Sequence, residues 1–210
     1  MNECLGVVLA GGLSSRMGED KAHLQRIDQQ SMLDYTADQL KRLGLPTVYS
    51  GQVEHGGVAD VIAEAGPVGG IYSILQRHQS DELLIVPVDM PLLDSQALRY
   101  LLETGRRQHC AVFYENSYLP LYLPVSAALM AHLNALFETL DPAAGKKVFS
   151  IRNLLSKVPY LEVPVAQTEQ LFNTNTPKEW QEAMEQLERQ GKTAELISNG
   201  RVSYTRRRSL

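Results

Sequence analysis

Short apolar runs and helical patterns follow one another along the chain. Residues 4–10 (CLGVVLA) and 82–88 (ELLIVPV) are almost wholly apolar, which is typical of strands buried on both faces of a sheet. Further strand-like runs cover residues 47–50, 58–62, 110–115, 120–124 and 158–165. Apolar residues recur at helical spacing in residues 31–44, 94–105, 126–140 and 176–191. The pattern therefore predicts regular alternation of strands and helices.

Several helix ends are marked by the residues that flank them. Asp94 is predicted to cap one helix that Gly105 ends, and Gly44 is predicted to stop an earlier one. Thr176, followed by a proline and by Glu179 three residues later, predicts a capping box at the start of the last helix. The segment GPVGGIYSILQRH, residues 66–78, is predicted to turn at its glycines and then to become helical.

The alternation predicts a single three-layer α/β/α domain with a mostly parallel, Rossmann-like sheet covered on both faces. Ligands of such sheets bind beyond the carboxyl ends of the strands. This edge should hold the loops after Leu9 and Val88 and the loop that enters the last helix. Residues 1–190 are expected to form the domain and residues 191–210 a tail, with a β-hairpin turning at Asn199-Gly200.

Composition and charge restrict the partners and the location that are expected for the protein. The formal net charge of −4 gives no overall attraction to nucleic acid or an anionic membrane, so neither is expected as a partner. No apolar run approaches the ~20 residues that span a bilayer. Cys4 and Cys110 lie in apolar, strand-like runs without metal-ligand spacing, which indicates buried thiols. Together with the lack of a visible secretion signal, this predicts a cytoplasmic protein.

The segment VVLAGGLSSRMGEDK, residues 7–21, carries the clearest chemical signal. A glycine-rich turn after a buried strand can aim backbone N–H groups at a phosphate, and Arg16 and Lys21 add positive charge. A tight turn with two surface cations is the alternative. The segment does not fit the Walker loop, because Gly18 is followed by Glu-Asp-Lys and not directly by lysine. The G-x-G-x-x-G pattern is absent as well.

Four motifs together resemble one family of nucleotidyltransferases. LAGGLSSRMGEDK resembles the amino-terminal signature of enzymes that activate sugars and cofactors with a nucleoside triphosphate, and it is most similar to the molybdenum cofactor guanylyltransferases. AGPVGGI, VPVDMPLL and FNTNTPKEW, beginning at residues 65, 86 and 172, resemble three further family motifs in the expected order. The resemblance covers nearly the whole chain except the tail, and it implies the nucleotide-diphospho-sugar transferase type of fold.

The resemblance implies transfer of GMP from GTP to molybdopterin, with release of pyrophosphate. Asp89 would bind Mg²⁺ or Mn²⁺, Lys21 would bind phosphate and Arg16 would contact the leaving pyrophosphate. Together with Lys21 and Asp89, the expected nucleotide-binding residues are Leu9, Ala10, Gly11, Gly12, Asp60 and Gly69. Asp60 has an alternative role in a strand-end turn.

The acceptor side is expected to include Asn173, Asn175, Lys146, Lys147 and Arg152. The alternative for the asparagines is that they only shape the turn before Thr176, and the alternative for the three cations is a solvated basic face. The resemblance also implies molybdenum insertion proteins and apo-molybdoenzymes as partner proteins.

Two other functions stay open. A related enzyme could use CTP or another phosphorylated acceptor, although Gly11 stands where pyrimidine-using relatives tend to carry alanine. A GTP-binding assembly partner without turnover is the second alternative, because Leu119 occupies a position where a polar residue is common.

Overall fold

The computed structural model describes residues 3–11, 21–61, 65–138 and 149–198, with side chains described as far as residue 191. Its strands are β1 (Cys4–Leu9), β2 (Thr47–Ser50), β3 (Glu82–Pro87), β4 (Ala111–Tyr114), β5 (Ser117–Pro124) and β6 (Tyr160–Val163). Its α-helices are α1 (Met32–Lys41), α2 (Gly66–Arg77), α3 (Ser95–Gln108), α4 (Ala127–Glu138), α5 (Ile151–Leu155) and α6 (Pro177–Ser198). No helix in these ranges is both long and apolar enough to cross a bilayer.

The strands form one sheet in the order β2-β1-β3-β5-β4-β6. All neighbouring strands run parallel except at β5, which is antiparallel to both β3 and β4. One apolar cluster packs α1 and α3 against one face of the sheet, and a second packs α2, α4 and α5 against the other. The predicted three-layer α/β/α architecture with a mostly parallel sheet is therefore confirmed.

Local capping signals set several helix starts. Asp94 accepts hydrogen bonds from the backbone N–H groups of the first turn of α3, as predicted. At α6, the Glu179 N–H donates to Thr176 Oγ1 at 3.3 Å, and the Thr176 N–H donates back to Glu179 Oε2 at 2.8 Å. This reciprocal pair is the predicted capping box.

Two predictions based on glycine were wrong. Helix α3 continues past Gly105 to Gln108, and a Cβ at Gly105 would lie 2.0 Å from Tyr122 Cδ1, so close packing explains this glycine. Helix α2 begins at Gly66 itself, so Gly69 and Gly70 are buried helical residues and form no loop. A Cβ at Gly70 would meet Ser50 Oγ at 2.2 Å, which shows how closely α2 approaches β2.

Two predicted strands are also corrected. The run at residues 58–62 forms no strand within its described part, because Val58 makes only an isolated bridge to Ser50. Helix α6 continues through Gly191 to Ser198, so this segment is not the first strand of a hairpin. Residues 192–198 are rich in good helix formers, which outweighs the cost of about 1 kcal/mol for one helical glycine. Asn199 and Gly200 lie outside the described residues, and the boundary at residue 190 stays a prediction.

Candidate active site

A cleft of about 520 Å³ opens at the carboxyl edge of the sheet. The segments after β1 and β3, the turn between β4 and β5 and the loop before α6 surround it. Seven of the residues predicted from the sequence line this cleft: Leu9, Ala10, Gly11, Lys21, Asp89, Asn173 and Asn175. These residues come from four separate parts of the chain, and the topology brings them to one edge.

The end of β1 presents bare backbone to the cleft. Leu9 O accepts a hydrogen bond from the Val88 N–H, and the Ala10 N–H donates to Ser50 O, both at 3.2 Å. Gly51 has a φ of 78°, and a Cβ there would lie 2.9 Å from Gly11 Cα. The strand end is therefore fixed on both sides by backbone contacts, and Gly11 adds no side chain to the opening.

Lys21 forms hydrogen bonds with polar side chains from two different loops of the cleft. Its Nζ donates to Asp89 Oδ2 at 3.2 Å and to Asn175 Oδ1 at 2.7 Å. The Lys21 and Asp89 side chains are only 17% and 22% exposed, so water screens this pair less than it screens a surface pair. A carboxylate oxygen and an amide oxygen thus converge on one cationic group at the edge of the sheet.

The loop before α6 is held against Asp89 by backbone contacts. The Thr174 N–H and the Thr174 hydroxyl both donate to Asp89 O, at 2.9 and 3.2 Å. The next residue, Asn175, donates its N–H to Glu179 Oε2 at 2.8 Å. This hydrogen bond is the main cause of the lowered pKa of Glu179. The capping box of α6 therefore also fixes the position of Asn175.

A buried arginine supports the segment that follows Asp89. The guanidinium of Arg26 lies 3.3 Å from the centre of the Tyr35 ring, and Arg26 Nη1 donates to Pro91 O at 2.9 Å. The Tyr35 hydroxyl donates to Leu93 O at 2.7 Å. These contacts tie the segment after Lys21 to the segment after Asp89. No local sequence pattern predicts them, because they join residues that are distant along the chain.

Asp60 lies beside the cleft and not in its lining. Its carboxylate accepts a hydrogen bond from Ser50 Oγ at 3.3 Å, and Asp60 Oδ2 would lie 3.6 Å from a Cβ placed on Gly11. Partial desolvation of this carboxylate raises the pKa of Asp60, and the hydrogen bond from Ser50 opposes the rise. Asp60 is thus next to the exposed backbone of Gly11.

The opposite wall of the cleft contains none of the predicted site residues, although Leu119 stands out in the sequence as a departure from the family pattern. It is formed by Asn116, Ser117, Tyr118 and Leu119, at and after the turn between β4 and β5. Asn116 has a φ of 63°, a left-handed conformation that asparagine tolerates, so the residues Asn-Ser between two apolar runs were the available signal. A second cavity of about 310 Å³ shares Asn116, Ser117 and Asn173 with the cleft.

The remaining predicted residues are placed differently. Gly69 is buried in α2, and Arg152 is exposed on α5 next to Ile151, which does line the cleft. Gly12, Arg16, Lys146 and Lys147 lie outside the described residues. The chemical roles assigned to all of these positions stay predictions.

Comparison with known proteins identifies the family of this chain. A family model described as the MobA-like NTP transferase domain matches residues 6–158, which span the ends of β1 and β3 and the β4–β5 turn. The chain belongs to this family. It is therefore a nucleotidyltransferase. Over 180 residues it is 37% identical to the molybdenum cofactor guanylyltransferase of Xanthomonas euvesicatoria pv. vesicatoria (strain 85-10), covering 83% of this chain and 91% of that protein.

Solved structures of MobA-like and related proteins share the fold. Molybdopterin-guanine dinucleotide biosynthesis protein A from Archaeoglobus fulgidus aligns with a TM-score of 0.69 at 18% identity, over 88% of this chain and 99% of that chain. A Mycobacterium tuberculosis protein solved in complex with manganese aligns with a TM-score of 0.58 at 18% identity, over 87% and 98% of the two chains. At these identities the likeness establishes the fold of the MobA-like domain.

Proposed function

We propose that this MobA-like enzyme transfers GMP from GTP to molybdopterin and releases pyrophosphate. The single observation that carries the proposal is the convergence of Asp89 Oδ2 and Asn175 Oδ1 on Lys21 Nζ beside the bare backbone of Gly11. The name of the Xanthomonas relative supports the choice of nucleotide and acceptor. In this reaction a phosphate oxygen of molybdopterin attacks the α-phosphorus of GTP, and the bond to pyrophosphate breaks.

Positioning and charge neutralisation account for the proposed chemistry. The Leu9–Gly11 backbone would approach the nucleotide, while Lys21 would exchange its contact with Asp89 for one with the triphosphate. Gly12 and Arg16 are proposed to continue this grip, with Arg16 at the leaving pyrophosphate. No side-chain nucleophile is needed, because the acceptor itself supplies the attacking oxygen.

The donor set at Asp89 fits Mg²⁺ or Mn²⁺. A carboxylate oxygen and an amide oxygen are the ligands that such hard cations prefer, and both already point at a cationic group. Asp89 would hold the ion, with Asn175 beside it, and the ion would neutralise charge on the phosphates. The manganese in the Mycobacterium tuberculosis structure is consistent with a divalent ion in this fold.

Guanine recognition is proposed at the β1–β2 side of the cleft. Asp60 is adjacent to Gly11, and its carboxylate could accept hydrogen bonds from the N–H groups of a guanine or from ribose hydroxyls. Gly69 would act indirectly, by allowing α2 to pack near this corner. Because Gly11 carries no side chain, a purine gains room there, which favours GTP over CTP.

The acceptor is proposed to bind on the side of Asn173. This residue borders both the main cleft and the second cavity, so a ligand there would reach the nucleotide from the β4–β5 turn. Lys146, Lys147 and Arg152 are proposed to supply positive charge to the acceptor phosphate. The cytoplasm, with molybdenum insertion proteins and apo-molybdoenzymes as downstream partners, is the setting that this reaction implies.

The test is pyrophosphate release measured with purified protein, Mg²⁺ and either GTP or CTP, with and without molybdopterin. We expect release only when GTP and molybdopterin are both present. A preference for CTP would overturn the choice of base. Measurable GTP binding without release, in the presence of molybdopterin that a known guanylyltransferase consumes, would overturn the proposed reaction and favour a binding role.

A further inference from the structure

We propose that His23, Glu54 and His55 form a second metal site that takes an imidazole-preferring transition metal such as Zn²⁺. One ligand atom of each residue lies within 4.8 Å of the corresponding atoms of the other two. The two imidazole rings are 5.6 Å apart between centroids and tilted by 49°, so they do not stack face to face. The group was not evident from the sequence, because His23 and Glu54 are 31 positions apart.

Two short 3₁₀ turns bring the three side chains together. His23 ends the turn Lys21–His23, and Glu54 and His55 end the turn Val53–His55, which follows β2. All three residues are exposed, so an ion can reach them and the side chains can adjust. The group is distinct from the Asp89 site, which offers oxygen donors inside the cleft.

The donor types determine which metal fits. Two imidazoles and one carboxylate are the ligand set of many zinc sites with an open fourth position, whereas Mg²⁺ takes oxygen ligands. Zinc–nitrogen bonds of about 2.1 Å at tetrahedral angles place neighbouring ligand atoms about 3.4 Å apart. The three ligand atoms now lie within 4.8 Å of one another, so small side-chain rotations would bring them to the spacing that zinc requires.

Metal binding here would cross-link two segments that border the nucleotide cleft. Lys21 is the first residue of the turn that His23 ends, and Gly51, which packs on Gly11, precedes the turn that holds Glu54 and His55. An ion bound to both turns would hold these segments together only in the folded protein. Zn²⁺ should therefore raise the melting temperature as well as bind.

The experiment is calorimetric titration of the full chain with ZnCl₂ in a buffer that contains millimolar MgCl₂, which occupies oxygen-donor sites. We expect one Zn²⁺ per chain, and a matching rise in melting temperature. His55→Ala and His23→Ala should each weaken binding by at least about 10–100-fold, the loss caused even by changing a partner of a metal ligand. Glu54→Gln should weaken binding as well.

His109→Asn is the matched control. His109 is an exposed histidine at the amino edge of the sheet, and its φ of 52° is a conformation that asparagine tolerates. This variant should bind Zn²⁺ like the parent. Equal Zn²⁺ affinity of His55→Ala, His23→Ala and the parent, or no binding by the parent, would overturn the proposal. Circular dichroism of each variant separates loss of a ligand from loss of the fold.

Discussion

Strand β3 carries an acidic residue at each end, and each acid has a cationic partner. Glu82, the first residue of the strand, accepts a hydrogen bond from Arg106 Nε at 2.8 Å. Asp89, two residues beyond the other end, accepts one from Lys21 Nζ at 3.2 Å. The two pairs look equivalent as ion pairs, but their surroundings differ, and this difference separates a structural contact from a candidate catalytic one.

At the amino end the protein encloses the carboxylate of the pair, while the Arg106 side chain is 44% exposed at the surface. Glu82 is only 5% exposed, and Cys4 and Tyr122 lie against it. Burial, together with the charge of Glu82, raises the pKa of Cys4 to about 12 and also raises the pKa of Tyr122. Neither Glu82 nor Arg106 lines either of the two cavities described above, so the pair serves to satisfy a buried carboxylate.

The pair at the carboxyl end lies in the wall of an open cleft. Lys21 and Asp89 both line it, and Asn175 contacts the same ammonium. A ligand can therefore take over one of the contacts without unfolding any element. Exposure to a cavity, more than the presence of opposite charges, is what makes Lys21 and Asp89 the candidate functional pair.

The largest expected effect comes from Asp89→Asn. The change keeps the shape of the side chain and leaves the bonds from Thr174 to the backbone oxygen of residue 89 intact, but it removes the negative charge. We expect kcat for pyrophosphate release to fall by about 10²–10³-fold, with little change in melting temperature. Asp81→Asn, an exposed acid at the other edge of the sheet, is the control. A kcat above half that of the parent would contradict a catalytic role for the Asp89 carboxylate.

Arg106→Met should show the opposite profile. It leaves the buried Glu82 carboxylate without its charged donor, so the free energy of unfolding should fall by about 1–3 kcal/mol. The KM and kcat of the surviving folded protein should stay near the parent values. Chemical denaturation measures the stability, and Arg107→Met, the exposed neighbour on the same helix, is the control. A selective loss of activity would show that the amino end also serves the reaction.

Tyr35→Phe tests the contacts that support the segment after Asp89 at the candidate active site. It removes the hydrogen bond to Leu93 O but keeps the ring on which Arg26 packs. We expect a loss of about 0.5–1.5 kcal/mol in unfolding free energy. We also expect kcat to fall, because the segment after Asp89 can move once the hydrogen bond to Leu93 O is lost. Tyr100→Phe, at an exposed tyrosine of α3, should leave both measurements unchanged.

Glu179→Gln should lower the melting temperature only slightly, and the size of the decrease should depend on pH. Because hydrogen bonds in the fold lower the pKa of Glu179, the charged form contributes stability above its ordinary pKa. That contribution is lost as the pH falls from about 4.3 downward. The melting temperature of the variant should therefore lie below that of the parent at pH 7 and approach it in acid. Glu103→Gln is the control, and a constant difference across pH 3–7 would refute the assignment.

Local signals predicted much of the fold and one side of the site. The unbroken apolar runs of β1 and β3 and the caps at Asp94 and Thr176 act within a few residues, so the sequence displays them directly. The loop ends at Gly11 and Asp89 follow from the rule that parallel strands share a carboxyl edge.

Contacts between distant residues could not be predicted in this way. Gly70 and Gly105 resembled turn signals, yet each is small because another element, at Ser50 or Tyr122, packs against it. The hydrogen bonds of Thr174 and Arg26 and the meeting of His23 with His55 likewise depend on the assembled fold.

The reversed direction of β5 places a surface turn, which can vary in sequence, at the edge of the cleft. Because β4 ends and β5 begins at the same edge, a short turn at Glu115-Asn116 supplies one wall of the cleft. The proposed nucleotide side depends on β1 and β3, which this turn does not interrupt. Insertions or exchanges in the turn can therefore reshape the proposed acceptor wall during evolution while the proposed triphosphate site stays constant.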